Sequence, residues 1–325
     1  MKLHLFNPEN DLALAAGTAN FTPPKNVVAF RNALAALPAW LADEGDNIYA
    51  PGLDESWLRR AGLSVGLRHE GEPAPWGWSA NAVARFRALG IEGPFPDTER
   101  HRLLSHRRSA LDLRRNLEGK LSYPLPPLPQ EITSVNDLPP TDRIILKSPW
   151  SCSGRGVVDC EGMSRENIMR RAADSIRRQG SVMVEPKLRK LRDFAMLFDN
   201  GRYCGLSLFL TSGTAYTGNI VAPQSELADM LGTPLLNETA AAVEQSLPAD
   251  YRGPLGVDMM IYLADNGREL ICPTIEINFR RTMGFMALAL QRRFGRGEFR
   301  ISPGPQPGIQ LVPEGGAFSA TFQPG

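Results

Sequence analysis

Three short stretches gather the side chains that could do chemistry. In KSPWSCSGRGV, residues 147 to 157, Lys147 precedes a run of small residues, Ser151, Ser153, Gly154 and Gly156, with Arg155 between the two glycines. Glycines let a backbone come close to a ligand, and consecutive N–H groups with serine hydroxyls can surround phosphate oxygens. Lys147 would add one point charge and Arg155 a second. The Walker spacing GxxxxGK[ST] is absent and no GxGxxG opens a helix here, so an ordinary β-hairpin is the simpler account of this stretch alone.

The second pattern is GVDMMIY with ICPTIEINFRR, which carries Asp258, Glu276 and Asn278 on two strands joined through Asp265-Asn266-Gly267. A three-residue loop closed by Ala264 opposite Arg268 sets Asp258 opposite Thr274, with Glu276, Asn278 and Arg280 on the same face. A two-residue Asn266-Gly267 turn sends Asp258 to the other face unless a bulge near Pro273 restores it. Two carboxylates and an amide oxygen on one face suit magnesium, a hard ion that keeps water and phosphate among its ligands. Polar residues facing water are the plain alternative. The third stretch, NPEND, follows the first apolar run and offers Asn7, Glu9, Asn10 and Asp11 as substrate contacts, or else a Pro-led turn entering a helix.

The elements that must position these residues are readable in outline. KLHLF, NIYA and LSVGL read as strands alternating with helices at 26–43, DESWLRRAG and 79–89, which argues for a parallel sheet covered by helices. Ligands gather at the carboxyl ends of such strands, where NPEND lies. An arginine-rich helix is expected over 98–117 with Leu103, Leu104, Ala110, Leu111 and Leu113 inward, then the proline-rich connector YPLPPLPQE. RIILKS, VVDCE and SVMVEP read as strands around a helix at 164–179. Two hairpins follow, turned at Asp199-Asn200-Gly201 and Asp265-Asn266-Gly267, with a helix at 237–247 between them. An apolar helix at 284–294 precedes a Pro/Gly-rich end from Ser302 that reads as loosely structured. Trp76, Trp78 and a loop expected at 211–219, with Gly213, Tyr216 and Asn219, are further acceptor-site candidates.

The 325 residues suffice for more than one packed unit, and hydrophobic (42%) and charged (22%) contents are those of a globular protein. A formal net charge of +1 supplies no field that would draw the chain to nucleic acid or an anionic membrane, so an anion site must be local. Four cysteines without a CxxC pair argue against a zinc site or a disulfide framework. The polar interruption Asn7–Asp11 argues against a signal peptide, and a soluble cytoplasmic protein is expected. The sequence is compatible with a homodimer.

Taken together, the strand lysine with its small-residue loop, the strand leading to a hinge in VMVEPKL, and the acids in GVDMM and EINFRR resemble the ATP-grasp superfamily over about residues 100 to 295. The resemblance implies an α/β (α+β) ATP-grasp fold behind an amino-terminal Rossmann-like β/α domain. The divisions expected are a β/α domain at 1–97, a linker helix and lid subdomain at 98–185, a carboxyl-terminal subdomain with the metal site at 186–301, and a tail at 302–325. By the same resemblance Lys147 contacts ATP phosphates and 151–156 closes over them. Glu185, Pro186, Lys187 and Leu188 form the adenine-side hinge, with Asp193 in place of the ribose-binding acid. Asp258, Glu276 and Asn278 hold Mg2+, and Arg280 faces the transferred phosphoryl group. The sequence departs from the pattern where His106, Arg107 and Arg108 stand in place of a further lysine, and where LRKLRD replaces Gly-x-Glu. The implied activity is ATP-dependent joining of a small carboxylate to an amine through an acyl phosphate. A small-molecule kinase and a nucleotide-binding regulator without turnover are the alternatives.

Overall fold

The computed structural model describes residues 1–151, 156–212 and 215–325. Ser153, Gly154 and Arg155 of the expected phosphate loop, and Gly213, lie outside the described residues. The chain forms two compact units from separated stretches. The first comprises Met1–Arg102, Ser207–Leu227 and Phe279–Gly325; the second comprises Leu103–Leu206 and Ala228–Asn278.

In the first unit, Lys2–Leu5 is the centre of a parallel three-stranded sheet between Asn47–Tyr49 and Glu72–Pro75. LSVGL, expected as a strand, supplies only a bridge from Gly66 to Asn47, and the proline-containing EPAP takes the third place. The alternation explains how. Glu72 and Trp76 donate their N–H groups to the Met1 and Leu5 carbonyls (3.2 and 2.7 Å), while Pro73 and Pro75 occupy the intervening positions of an edge strand, where no donor is needed.

The same unit contains Ala215–Val221, antiparallel to residues 208–212 on one side and to Gly297–Pro303 on the other. Gly297–Pro303 pairs in turn with Phe318–Pro324. The end of the chain, expected to be loose, is therefore structured. Phe322 is fully enclosed in one core with Phe6, Leu37, Ile48, Trp76, Met286 and Phe299. Apart from Pro303 and Pro324, which end paired strands, and the terminal Gly325, its prolines and glycines lie in the connections around the short strand Ile309–Gln310, and the apolar alternation of FSATF marks the strand that follows. The loop expected at 211–219 is also largely strand: Asn219 is buried and donates to Ser207 Oγ (2.8 Å) and the Leu208 carbonyl (3.2 Å), which is a packing role.

In the second unit, an antiparallel sheet runs in the order Gln130–Ile132, Val182–Pro186, Ile144–Lys147, Val157–Asp159. The helix Arg165–Gln179 packs on it through Ile168 and Ala172, against Ile132, Ile144, Leu146, Val182 and Val184. Beside these elements, three antiparallel strands run in the order Glu269–Asn278, Pro254–Leu263, Arg189–Asp199. The single helix expected over 98–117 is two, Thr98–Leu104 and Arg108–Asn116, and the break between them shapes the site described next. Among the described residues no helix is long and apolar enough to cross a membrane.

Candidate functional site

The acid-bearing hairpin of the second unit closes as the three-residue alternative requires: Ala264 N–H donates to the Arg268 carbonyl (2.9 Å) and Leu263 faces Glu269. The register then shifts. Met260 faces Cys272, but Asp258 faces Glu276 instead of Thr274, so two extra residues sit on the Glu269–Asn278 strand. Because side chains alternate with period two, a two-residue bulge changes the partner without changing the face. Asp258, Glu276 and Asn278 therefore share a face, and the Asn278 amide nitrogen donates to Asp258 Oδ2 (3.1 Å).

A bulge removes carbonyls from the ladder, and buried carbonyls need new donors. Arg114, buried on the helix Arg108–Asn116, supplies them at the bulge, donating to the Thr274 carbonyl (2.6 Å), Thr274 Oγ1 (3.2 Å) and Cys272 Sγ (3.0 Å). Lys147 reaches the next carbonyl, that of Ile275 (3.4 Å), while its Nζ pairs with Glu185 (2.6 Å). The lysine expected at phosphate and the strand expected to carry metal ligands thus meet directly.

Arg107 makes the second link. The helix break turns this residue inward, where its N–H donates to the Pro149 carbonyl (3.0 Å). Its guanidinium, only 5% exposed, donates to the Ser148 carbonyl (3.1 Å) and Ser151 Oγ (2.9 Å), and pairs with Glu276 (3.0 Å). Its neighbours turn elsewhere: Arg108 pairs with Glu131, and His106 lies 3.6 Å from the same carboxylate. Arg108 and a hydrogen bond from Ser181 hold the Glu131 carboxyl below its usual range. Of the three basic residues at 106–108, Arg107 is the one that bridges the loop base and an acid of the hairpin. Arg107, Ala110, Leu111 and Arg114 fall at i, i+3, i+4, i+7, so both buried arginines lie on the stripe that apolar spacing marks as inward. Arg114 had no other signal in the sequence.

The remaining expected site residues are placed as follows. Ser151 is buried beside Arg107, and Gly156 has φ +75°; a Cβ there would lie 2.9 Å from Ser148 Oγ and 3.3 Å from Ser151 Cβ. Glu185 turns its carboxylate to Lys147. The Lys187 ammonium is engaged at the surface by Asp159 (2.6 Å) and Glu161 (2.7 Å), so only its backbone remains for a hinge. The Leu188 carbonyl accepts from Lys190 N–H (2.9 Å), and Asp193 pairs with Lys190 Nζ (2.6 Å). Arg280 belongs to the first unit, where Asp11 holds its guanidinium from Nε (3.0 Å) and Nη2 (2.8 Å).

Among the described residues no three His, Cys, Asp or Glu side chains converge as a metal site. The set offered here, two carboxylates and one amide opposite or beside one another on adjacent strands, is an all-oxygen donor set once the Asn278 amide turns its Oδ1 forward. Such an incomplete hard-ligand set fits magnesium, which retains water and substrate oxygens.

Neither a protein-family model nor a curated protein matches the chain. Solved structures do. A protein described as belonging to the ATP-grasp superfamily, from Archaeoglobus fulgidus, superposes with TM-score 0.52 at 14% identity, over 99% of this chain and 98% of its own. Phosphoribosylamine–glycine ligase from Thermotoga maritima gives TM-score 0.52 at 17% identity, over 100% of this chain and 93% of its own. N5-carboxyaminoimidazole synthetase from Staphylococcus aureus, complexed with ADP, gives TM-score 0.52 at 11% identity, over 99% of this chain and 93% of its own. The chain has an α/β architecture with the ATP-grasp fold.

Proposed function

We propose that the protein is an ATP-dependent, magnesium-requiring ligase that joins a carboxylate to an amine through an acyl phosphate. The observation that carries this reading is the double link in the second unit: Arg107 ties Ser151 to Glu276, and Lys147 reaches the strand that bears Glu276 and Asn278. Cationic groups for phosphate and oxygen ligands for a divalent ion are therefore parts of one site. The ADP complex of the Staphylococcus aureus protein, with the same fold, supports nucleotide binding here.

Asp258, Glu276 and Asn278 would hold the magnesium, which when bound neutralises phosphate charge. Lys147 and Arg107 would bind the phosphate oxygens and offset charge that builds up as the γ-phosphoryl group passes to a substrate carboxylate. An amine then attacks the acyl carbon, its proton is lost, and phosphate leaves. No covalent protein nucleophile is required, and fixed cations with little freedom to reorganise are the chain's contribution. Glu185 on Lys147, and Ser148 and Ser151 on Arg107, set those two cations in place before substrate arrives.

The test is a screen of amino acids and small carboxylates for ADP release with magnesium and ATP, followed by mass analysis of products. The reading predicts ADP, free phosphate and an amide of carboxylate and amine. A stable phosphoester in place of the amide would make the protein a kinase, and tight ATP binding without metal-dependent ADP release would make it a non-catalytic nucleotide binder.

A further inference from the structure

The nucleotide reading leaves unused the segment that follows the first strand. Asn7 is committed to structure, donating to the Gly77 carbonyl (2.8 Å) and accepting from Gly77 N–H (3.2 Å). Glu9 is different. Its side chain is 1% exposed, and its Oε1 accepts from two guanidiniums, Arg31 Nη1 (2.7 Å) and Arg85 Nη1 (3.1 Å). These arginines come from separate helices, Lys25–Ala33 and Ala80–Ala88. Glu9 Oε2 is enclosed and has no hydrogen-bond partner among the described residues.

One carboxylate does not balance two guanidiniums. The cluster keeps a surplus positive charge in a part-buried place, because the Arg31 and Arg85 side chains are 20% and 22% exposed. Burial pulls the Arg85 guanidinium below its ordinary value, the Arg31 charge beside it acts the same way, and Glu9 opposes both. Among the described residues, Nη2 of Arg31 and both Nε and Nη2 of Arg85 have no protein acceptor. A salt bridge that served the fold alone would need one arginine; the second costs repulsion and desolvation unless another anion joins it. The cluster grows from the loop at the carboxyl end of a parallel strand, where open α/β sheets bind ligands.

We propose that Arg31 and Arg85, aimed by Glu9, form a binding site in the first unit for the carboxylate or phosphate group of a small molecule. Guanidinium forks suit both oxyanions, and the free N–H groups are the donors that such a ligand would meet. The site stands independently of the nucleotide reading.

The test is isothermal titration of the full chain, without ATP, with succinate and with inorganic phosphate, at an ionic strength held constant with sodium chloride. The expected result is saturable binding of at least one probe at one site per chain, with Kd at or below about 1 mM. Arg31→Gln and Arg85→Gln should each weaken that binding about tenfold or more, and Arg31→Lys, which keeps charge but not the fork, should fall between. Succinate in preference to phosphate marks a carboxylate site, and the reverse marks a phosphate site. Circular dichroism checks that each variant folds, and Arg31, on a helix that buries no residue fully, serves if Arg85→Gln does not. Absence of saturable binding by both probes, or binding undiminished in a folded Arg31→Gln protein, overturns the proposal.

Discussion

Replacing Arg107 by methionine keeps most of the stem volume and removes the guanidinium. Three acceptors lose their donor: the Ser148 carbonyl, Ser151 Oγ and the Glu276 carboxylate. Breaking a fully buried ion pair costs about 3–5 kcal/mol, but Glu276 is 25% exposed and water takes over part of its solvation. The hydrogen bonds that the guanidinium gives to Ser148 and Ser151 add about 1 kcal/mol each. A loss of about 2–4 kcal/mol in the second unit follows, which for a unit of 150–250 residues lowers Tm by roughly 4–15 °C. Differential scanning calorimetry reads this, and a cycle with Glu276→Gln should return a coupling of about 1–2 kcal/mol between the two sites. Titration with a non-hydrolysable ATP analogue and magnesium should show affinity lowered about 10- to 100-fold in Arg107→Met, the equivalent of one or two charge-assisted hydrogen bonds. Arg107→Lys should recover part of the affinity and little of the stability, because a point charge cannot serve three acceptors in a fork. A folded Arg107→Met protein with the parent's Tm and the parent's nucleotide affinity would refute the role assigned to this residue.

Gly156→Ala should cost about 1–2 kcal/mol and weaken nucleotide binding, since φ is +75° and the added Cβ meets Ser148 Oγ at 2.9 Å; thermal melts and titration check both. Phe322→Ala should destabilise by about 3–5 kcal/mol in denaturant titrations, because Phe322 is fully buried and stacked on Phe294 with ring centroids 5.0 Å apart. Burial chiefly, with the Arg281 charge, pulls His4 below the ordinary imidazole value despite its bond to Asp46 (2.8 Å). The unfolded chain therefore takes up a proton near pH 6.5 that the folded chain refuses, so His4 makes stability fall as pH drops below about 6.5, at up to about 1.4 kcal/mol per pH unit, and contributes no slope above it. Comparing His4→Gln with the parent by denaturant titration at pH 7.5 and pH 5.5 should show the smaller acid loss in the variant.

What the sequence made legible was set by how local each signal is. The Ala264–Arg268 closure was one of two turns the sequence left open, and the structure takes it; with that turn the shared face of Asp258, Glu276 and Asn278 follows from period two. The Asp258 partner was not legible, because the bulge that sets it is held by Arg114 from a helix about 160 residues away in the chain. Arg107 could be narrowed only to a run of three basic residues, since the helix break that aims it depends on a bond to the Pro149 carbonyl. The strand EPAP was hidden by prolines that an edge position tolerates, and the strand Phe318–Pro324 by the prolines and glycines around it. The division into units was out of reach of composition, because each is assembled from segments far apart in the chain.

The most direct measurement is calorimetric titration of ATP into the protein with and without magnesium. The account predicts one site per chain whose affinity rises with magnesium, falls about 30-fold or more in Lys147→Ala, and loses its magnesium dependence when Asp258→Asn and Glu276→Gln are combined. Undetectable ATP binding in the presence of magnesium, or binding indifferent to both sets of substitutions in folded protein, would contradict it.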